Sequence, residues 1–146
     1  MEAMEKPLVI PIFIPHSGCP HQCVFCNQQS ITGRVAGLPS KEDINLVISE
    51  FLGYRGNRKQ VELAFFGGNF LGLAEADIHM LLDSALPWVK DESVQAIRFS
   101  TRPDTINLST LNLLKKYPVS TVELGVQSMN DRVLSASGRG HTAKDT

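Results

Sequence analysis

The 146 residues are 42% hydrophobic and 20% charged, enough for one hydrophobic core and too few for two ordinary domains, so a single compact unit is expected. A net charge of −1 gives no global electrostatic case for a polyanionic partner. Pro7, Pro11 and Pro15 interrupt the apolar N-terminal stretch and His16 closes it, which excludes a signal peptide or a membrane span there. All three cysteines fall between Cys19 and Cys26 instead of being spread as staples for a secreted fold, so a reducing cytoplasm is the expected home.

In chain order, the near-continuous apolar run Leu8 to Ile14 reads as a strand covered on both faces in a parallel sheet, with the cysteines directly after it. A polar stretch from Asn27 to Pro39 leads to Ser40, which can cap a helix beginning near Lys41 with Asp43 at its third position. Ile44, Val47, Ile48, Phe51 and Leu52 keep helical spacing up to Gly53. Val61 to Phe66 reads as a second strand entering Gly67 and Gly68, followed by a helix from about Glu75 to Val89. Ala96 to Thr101 is a third strand, limited by Pro103, and Ser109 to Leu114 a short helix stopped by Pro118. Thr121 to Val126 is a fourth strand, and Asn130 to Ser137 a helix ended by Gly138.

This β-α alternation, at spacings that fit crossover units of roughly thirty residues, implies an α/β fold with a parallel sheet, open or partly closed as a barrel. Thr142 to Asp145 has the capping-box pattern of a further helix, one residue before the chain stops. The expectation is an N-terminal part of a longer protein, its fourth strand left as an edge.

Cys19, Cys23 and Cys26, spaced x3 and x2, put three potential thiolates on one short loop. Three readings are open: buried thiols, a zinc site completed by His16 or His21, or three corners of a cubane iron–sulfur cluster. The polarity of the loop weighs against buried thiols. Electron-carrying ferredoxins normally supply four cysteines, so a trio leaves one iron open to an outside ligand, as catalysis requires.

The stretch Ile14 to Cys26, IPHSGCPHQCVFC, resembles the signature of the radical S-adenosylmethionine superfamily. Phe66-Gly67-Gly68-Asn69, Ser100-Thr101-Arg102-Pro103-Asp104 and Glu123-Leu124-Gly125-Val126-Gln127-Ser128 follow in the order expected of it. Together with Gly138-Arg139-Gly140-His141-Thr142 they are most similar to the branch shared by the Elongator catalytic subunit and the oxygen-independent coproporphyrinogen oxidases. The resemblance implies the first four β/α units of a partial (β/α)6 barrel, with residues 1–146 as the N-terminal part of a radical SAM core domain. It also implies a 4Fe-4S cluster held by Cys19, Cys23 and Cys26, with S-adenosylmethionine on the open iron. One electron would split that cofactor into methionine and a 5′-deoxyadenosyl radical, which takes a hydrogen from the substrate, and no side chain need act as a general acid or base.

The same resemblance assigns cofactor contacts. Gly67 and Gly68, at a strand's C-terminal end, would let backbone carbonyls approach the methionyl amino group, with an ordinary glycine turn as the alternative. Asn69 stands where relatives commonly have an acidic residue or threonine. Phe25 would lie near the adenine or shield the cluster, and Gln127 would bond the ribose hydroxyls. Arg139 would pair with the methionyl carboxylate. Arg102 follows the Elongator-type pattern, where the porphyrin-oxidising relatives tend to have glutamate, and its alternative is a solvated surface arginine. His16, His21 and His141 carry weaker cases.

Candidate substrates are a tRNA to be modified or a tetrapyrrole to be oxidised, and the implied reductant is a flavodoxin or ferredoxin. No membrane partner is expected. The isolated chain is expected to bind cofactor poorly, and a sample handled in air to have lost its iron. The competing class is a noncatalytic zinc-binding or interaction module, which would need none of the motifs at Gly67, Gln127 and Arg139.

Overall fold

The structure, a computed structural model, describes residues 5–15 and 37–146. Strands β1 (Leu8–Ile14), β2 (Val61–Gly67), β3 (Ala96–Thr101) and β4 (Val119–Leu124) form one sheet in the order β1-β2-β3-β4, every pair parallel. The intervening helices are α1 (Lys41–Leu52), α2 (Glu75–Lys90) and α3 (Leu108–Leu114), and α4 (Asp131–Ala136) follows β4. The α/β architecture and its parallel sheet are as the sequence predicts. The Ser40 cap also forms as expected, its hydroxyl accepting from the Asp43 N–H at 3.1 Å while the Asp43 carboxylate accepts from the Ser40 N–H at 2.9 Å.

Because the strands run in strict sequence order, each right-handed crossover returns over the same face, and the helices gather there. Leu8, Ile10, Ile12 and Ile14 of β1, Val61, Leu63 and Phe65 of β2, and Ile97 and Phe99 of β3 are buried in one core with Ile44 and Ile48 of α1 and Ile78, Leu81, Leu82 and Ala85 of α2. Phe70, just beyond β2, stacks on Phe99 at 4.4 Å between ring centroids and lies 5.2 Å from Phe65.

The expectation that β1 is covered on both faces is therefore corrected. Val9 remains 40% exposed and Phe66 43% exposed on the helix-free face, where Phe13 and Phe66 meet edge to face at 5.6 Å. A single-wound sheet leaves that face to the inside of a barrel, and closure needs more strands than these four.

The fourth strand begins two residues earlier than the sequence suggests. Ile97 pairs with Val119 and Arg98 with Thr121, so Ser120 is an extra, bulged residue, and its hydroxyl donates to the Ile97 carbonyl at 3.1 Å. The bulge resets the alternation, placing Val119, Val122 and Leu124 on the helix side and Thr121 and Glu123 on the helix-free side.

Tyr117, just before β4, fixes this strand to α2. Its hydroxyl donates to Asp83 at 2.9 Å and lies 2.6 Å from the Nδ1 of His79. Burial first, then Asp83, pushes its phenol up to about 12. The unfolded phenol ionises near 10, so between pH 10 and 12 the unfolded chain binds fewer protons and the fold loses stability as pH rises. Alkaline unfolding curves of the wild type and Tyr117→Phe are expected to differ in slope in that window, the variant lacking this component.

Candidate functional site

The polar residues picked out from the sequence converge at the C-terminal ends of the strands, the edge at which parallel α/β sheets bind ligands. Gly67 ends β2 opposite Ile14 of β1, and the Gly68 N–H donates to the Ile14 carbonyl at 2.8 Å. Gly67 has φ +105°, and a Cβ there would lie 2.7 Å from the Ile14 oxygen. A Cβ on Gly68 would overlap the Pro15 carbonyl oxygen. Both glycines are thus required by the packing of β2 against the exit of β1, where the cysteine segment starts.

Asn69 is 2% exposed, and its side-chain oxygen accepts from the Thr101 hydroxyl at 2.7 Å, the Arg102 N–H at 3.0 Å and the Thr105 hydroxyl at 3.2 Å. It ties the end of β2 to the end of β3. Asn69→Ala would leave buried donors without an acceptor, and the expected loss is about 2 kcal/mol of stability, read by chemical denaturation. Asn69→Asp keeps the acceptor and should lose much less.

Arg102 is no solvated surface residue: it is 2% exposed. Its Nε and Nη2 donate to the two Asp104 oxygens at 2.9 and 3.2 Å, and Nη2 also donates to the Arg139 carbonyl. The 3-10 turn Pro103–Thr105 brings Asp104 back onto Arg102. Nη1 is buried without a hydrogen-bond partner among the described residues.

Arg139 is set by the end of α4. The Arg139 N–H donates to Leu134 at 3.0 Å and the Gly138 N–H to Ser135 at 3.1 Å, with Gly138 at φ 69°, which is a Schellman ending. The Arg139 guanidinium donates to the Gly125 carbonyl at the exit of β4. A Cβ on Gly125 would sit 2.8 Å from the Arg139 Nη2, so a side chain there would displace the guanidinium from its present position. Gln127 lies on the same rim in a left-handed conformation, φ 67°, with its side chain exposed.

His141 is 6% exposed beside this pair. Burial, then the Arg139 and Arg102 charges, lower its pKa from 6.5, so the imidazole is neutral at pH 7. Asp104 opposes the two guanidiniums without reversing the shift.

On the helix-free face below the rim runs a charged row that the sequence reading missed. Arg98 donates to Glu62 at 3.1 Å and also pairs with Glu123, which accepts from the Ser100 hydroxyl at 2.8 Å. The hydroxyl first and Arg98 second hold the Glu123 carboxyl below its usual range. Opposite charges at diagonal cross-strand positions were the available signal, since Arg98 is in register with Ala64 and Thr121, each two residues from an acidic partner, Glu62 and Glu123. Asp104 and Gly125 also went unassigned, although both stand inside recognised motifs.

Cys19, Cys23, Cys26 and Phe25 lie outside the described residues, as do His16 and His21. A cavity of about 570 Å³ between β1 and α1, lined by Pro11, Phe13, Leu38, Val47 and Phe51, takes in none of the polar rim residues. Among the described residues no helix is long and apolar enough to cross a membrane.

The family model of the Radical SAM superfamily matches residues 13–146, which include the cysteine segment and every rim motif. The chain belongs to this superfamily. It is 29% identical to the uncharacterized protein MJ0486 of Methanocaldococcus jannaschii, over 97% of this chain and 46% of that protein. It is 28% identical to the oxygen-independent coproporphyrinogen-III oxidase-like protein HemZ of Bacillus subtilis, over 94% of this chain and 29% of HemZ. The fold matches that of Methanocaldococcus infernus Elp3 with a TM-score of 0.59 at 20% identity, covering 95% of this chain and 33% of Elp3. The chain thus spans less than half the length of these relatives, and the likeness to the Elongator and coproporphyrinogen-oxidase branch holds in sequence and fold. Four parallel strands in one sheet are consistent with part of the superfamily's barrel.

Proposed function

We propose that this chain carries the cluster and cofactor machinery of a radical S-adenosylmethionine enzyme, with Cys19, Cys23 and Cys26 as the three protein ligands of a 4Fe-4S cluster. The observation that carries the reading is a superfamily match that runs unbroken from the cysteine segment through every rim motif. When bound, the cluster supplies the electron that splits S-adenosylmethionine, yielding the 5′-deoxyadenosyl radical that abstracts hydrogen from substrate.

The rim chemistry fits an amino-acid head group. A carboxylate suits a corner where the Arg139 and Arg102 guanidiniums meet and disfavour a further positive charge at His141. In this reading Arg139 takes the methionyl carboxylate, the Gly67-Gly68 backbone lies against the amino group, Gln127 meets the ribose hydroxyls and Phe25 the adenine. Asn69 acts indirectly, by holding the ends of β2 and β3 together. The candidate substrates are a tRNA or a tetrapyrrole, and the candidate reductant a flavodoxin or ferredoxin.

Oxygen-free loading of the full-length protein with iron and sulfide, followed by electron paramagnetic resonance, tests this. A reduced cubane signal that shifts on adding S-adenosylmethionine is expected. Tight zinc with no cubane would replace the proposal with a structural metal module.

A further inference from the structure

Three hydrogen bonds and one peptide link close a ring over the ends of β3 and β4. Arg102 donates to the Arg139 carbonyl, the Arg139 guanidinium donates to the Gly125 carbonyl, the Gly125 N–H donates to the Thr101 carbonyl at 2.9 Å, and Thr101 leads directly into Arg102. Asp104 holds the guanidinium that starts the ring from the far side.

We propose that Arg102 is a positioning residue: locked by Asp104, it grips the backbone of Arg139 and so presents the Arg139 guanidinium to the cofactor carboxylate. The assignment of Arg139 to that carboxylate rests on the proposed function; the grip itself rests on the ring.

Geometry requires such a grip. Arg139 stands between Gly138 at φ 69° and Gly140 at φ 78°, two residues whose missing side chains leave the backbone free to turn. From the N-terminal side the Schellman ending fixes the Arg139 N–H; toward Gly140, the Arg102 donor fixes its carbonyl. A lysine in place of Arg102 offers one ammonium and cannot bond both Asp104 oxygens in parallel while also reaching the carbonyl. Orientation of a carboxylate-binding fork is lost by small displacements, so loosening this loop weakens binding without removing a ligand contact.

Two measurements on the full-length protein test the proposal. In iron-free protein, Arg102→Lys and, separately, Asp104→Asn are expected to raise hydrogen exchange at the Gly138 and Arg139 amides by about tenfold or more and to leave the Gly68 amide unchanged. Unchanged exchange at Gly138 and Arg139 would overturn the grip. In reduced, cluster-loaded protein, the S-adenosylmethionine concentration that half-shifts the resonance signal is expected to rise about tenfold in Arg102→Lys and in Arg139→Lys, with the double variant no worse than Arg139→Lys alone. Additive losses would mean that Arg102 touches the cofactor itself, through Nη1, and would overturn the positioning role. A wild-type protein that forms no cluster would sink the proposed function, while the exchange measurement would still decide the grip.

Discussion

Cys23→Ala in the full-length protein is expected to abolish assembly of the cubane, taking iron and sulfide from about four of each per chain to near zero, while the folded sheet survives. In the proposed ligand set Cys19, Cys23 and Cys26 take three corners, so removing Cys23 would leave two anchors for a centre without a fourth protein ligand. The folded sheet has its own hydrophobic core. Its core of Ile10, Leu63, Phe65, Ile97 and Phe99 is closed by α1 and α2 with side chains that are at most 1% exposed at these positions. Circular dichroism of the iron-free variant should therefore match that of iron-free wild type, and metal and sulfide analysis after oxygen-free loading should separate the two proteins. A variant that still assembled a full cubane would remove Cys23 from the ligand set.

The fold was legible because local signals and tertiary demands agree along most of the chain. Ser40 and Asp43 mark the start of α1, the spacing of Ile78, Leu81, Leu82 and Ala85 marks the buried side of α2, and Ala96 to Thr101 is bounded as a strand. Two features escaped for physical reasons. A near-continuous run of apolar residues does not say whether one face or both are covered, and β1 has its second face open because all the crossovers run over the first. The bulge at Ser120 has no local signature, being set by pairing with β3.

The site was legible as a set of residues more than as a set of roles. Gly68, Asn69, Arg102 and Arg139, drawn from three separate motifs, meet on one rim of the sheet. Their connections could not be read in advance, since burial of Arg102 depends on Asp104 and on the loop after α4, 37 residues away from Arg102 at Arg139. Gly67 and Gly68 illustrate the same limit. Their sequence context fits a close approach to a ligand, and the geometry adds a separate demand from the backbone of β1.

That demand makes Gly68→Ala the second severe substitution. The new Cβ would overlap the Pro15 carbonyl oxygen and lie 3.2 Å from the Ile14 oxygen, both of them backbone atoms with no side-chain freedom to yield. Relief requires the end of β2 to part from the exit of β1, at the expense of the 2.8 Å bond from the Gly68 N–H to Ile14. The expected loss is about 3 kcal/mol, or about 10 °C in Tm. Because Pro15 is followed by the segment that carries the cysteines, the displacement should also lower cluster loading with all three thiols present. Leu113→Ala supplies the comparison: it empties a buried position of α3, on the far side of the sheet from β1, at a loss of about 3 kcal/mol. Equal falls in Tm with loading reduced only in Gly68→Ala would place the effect at the β1 exit. Equal loading in both would mean that the cysteine segment organises its metal independently of the strand that leads into it.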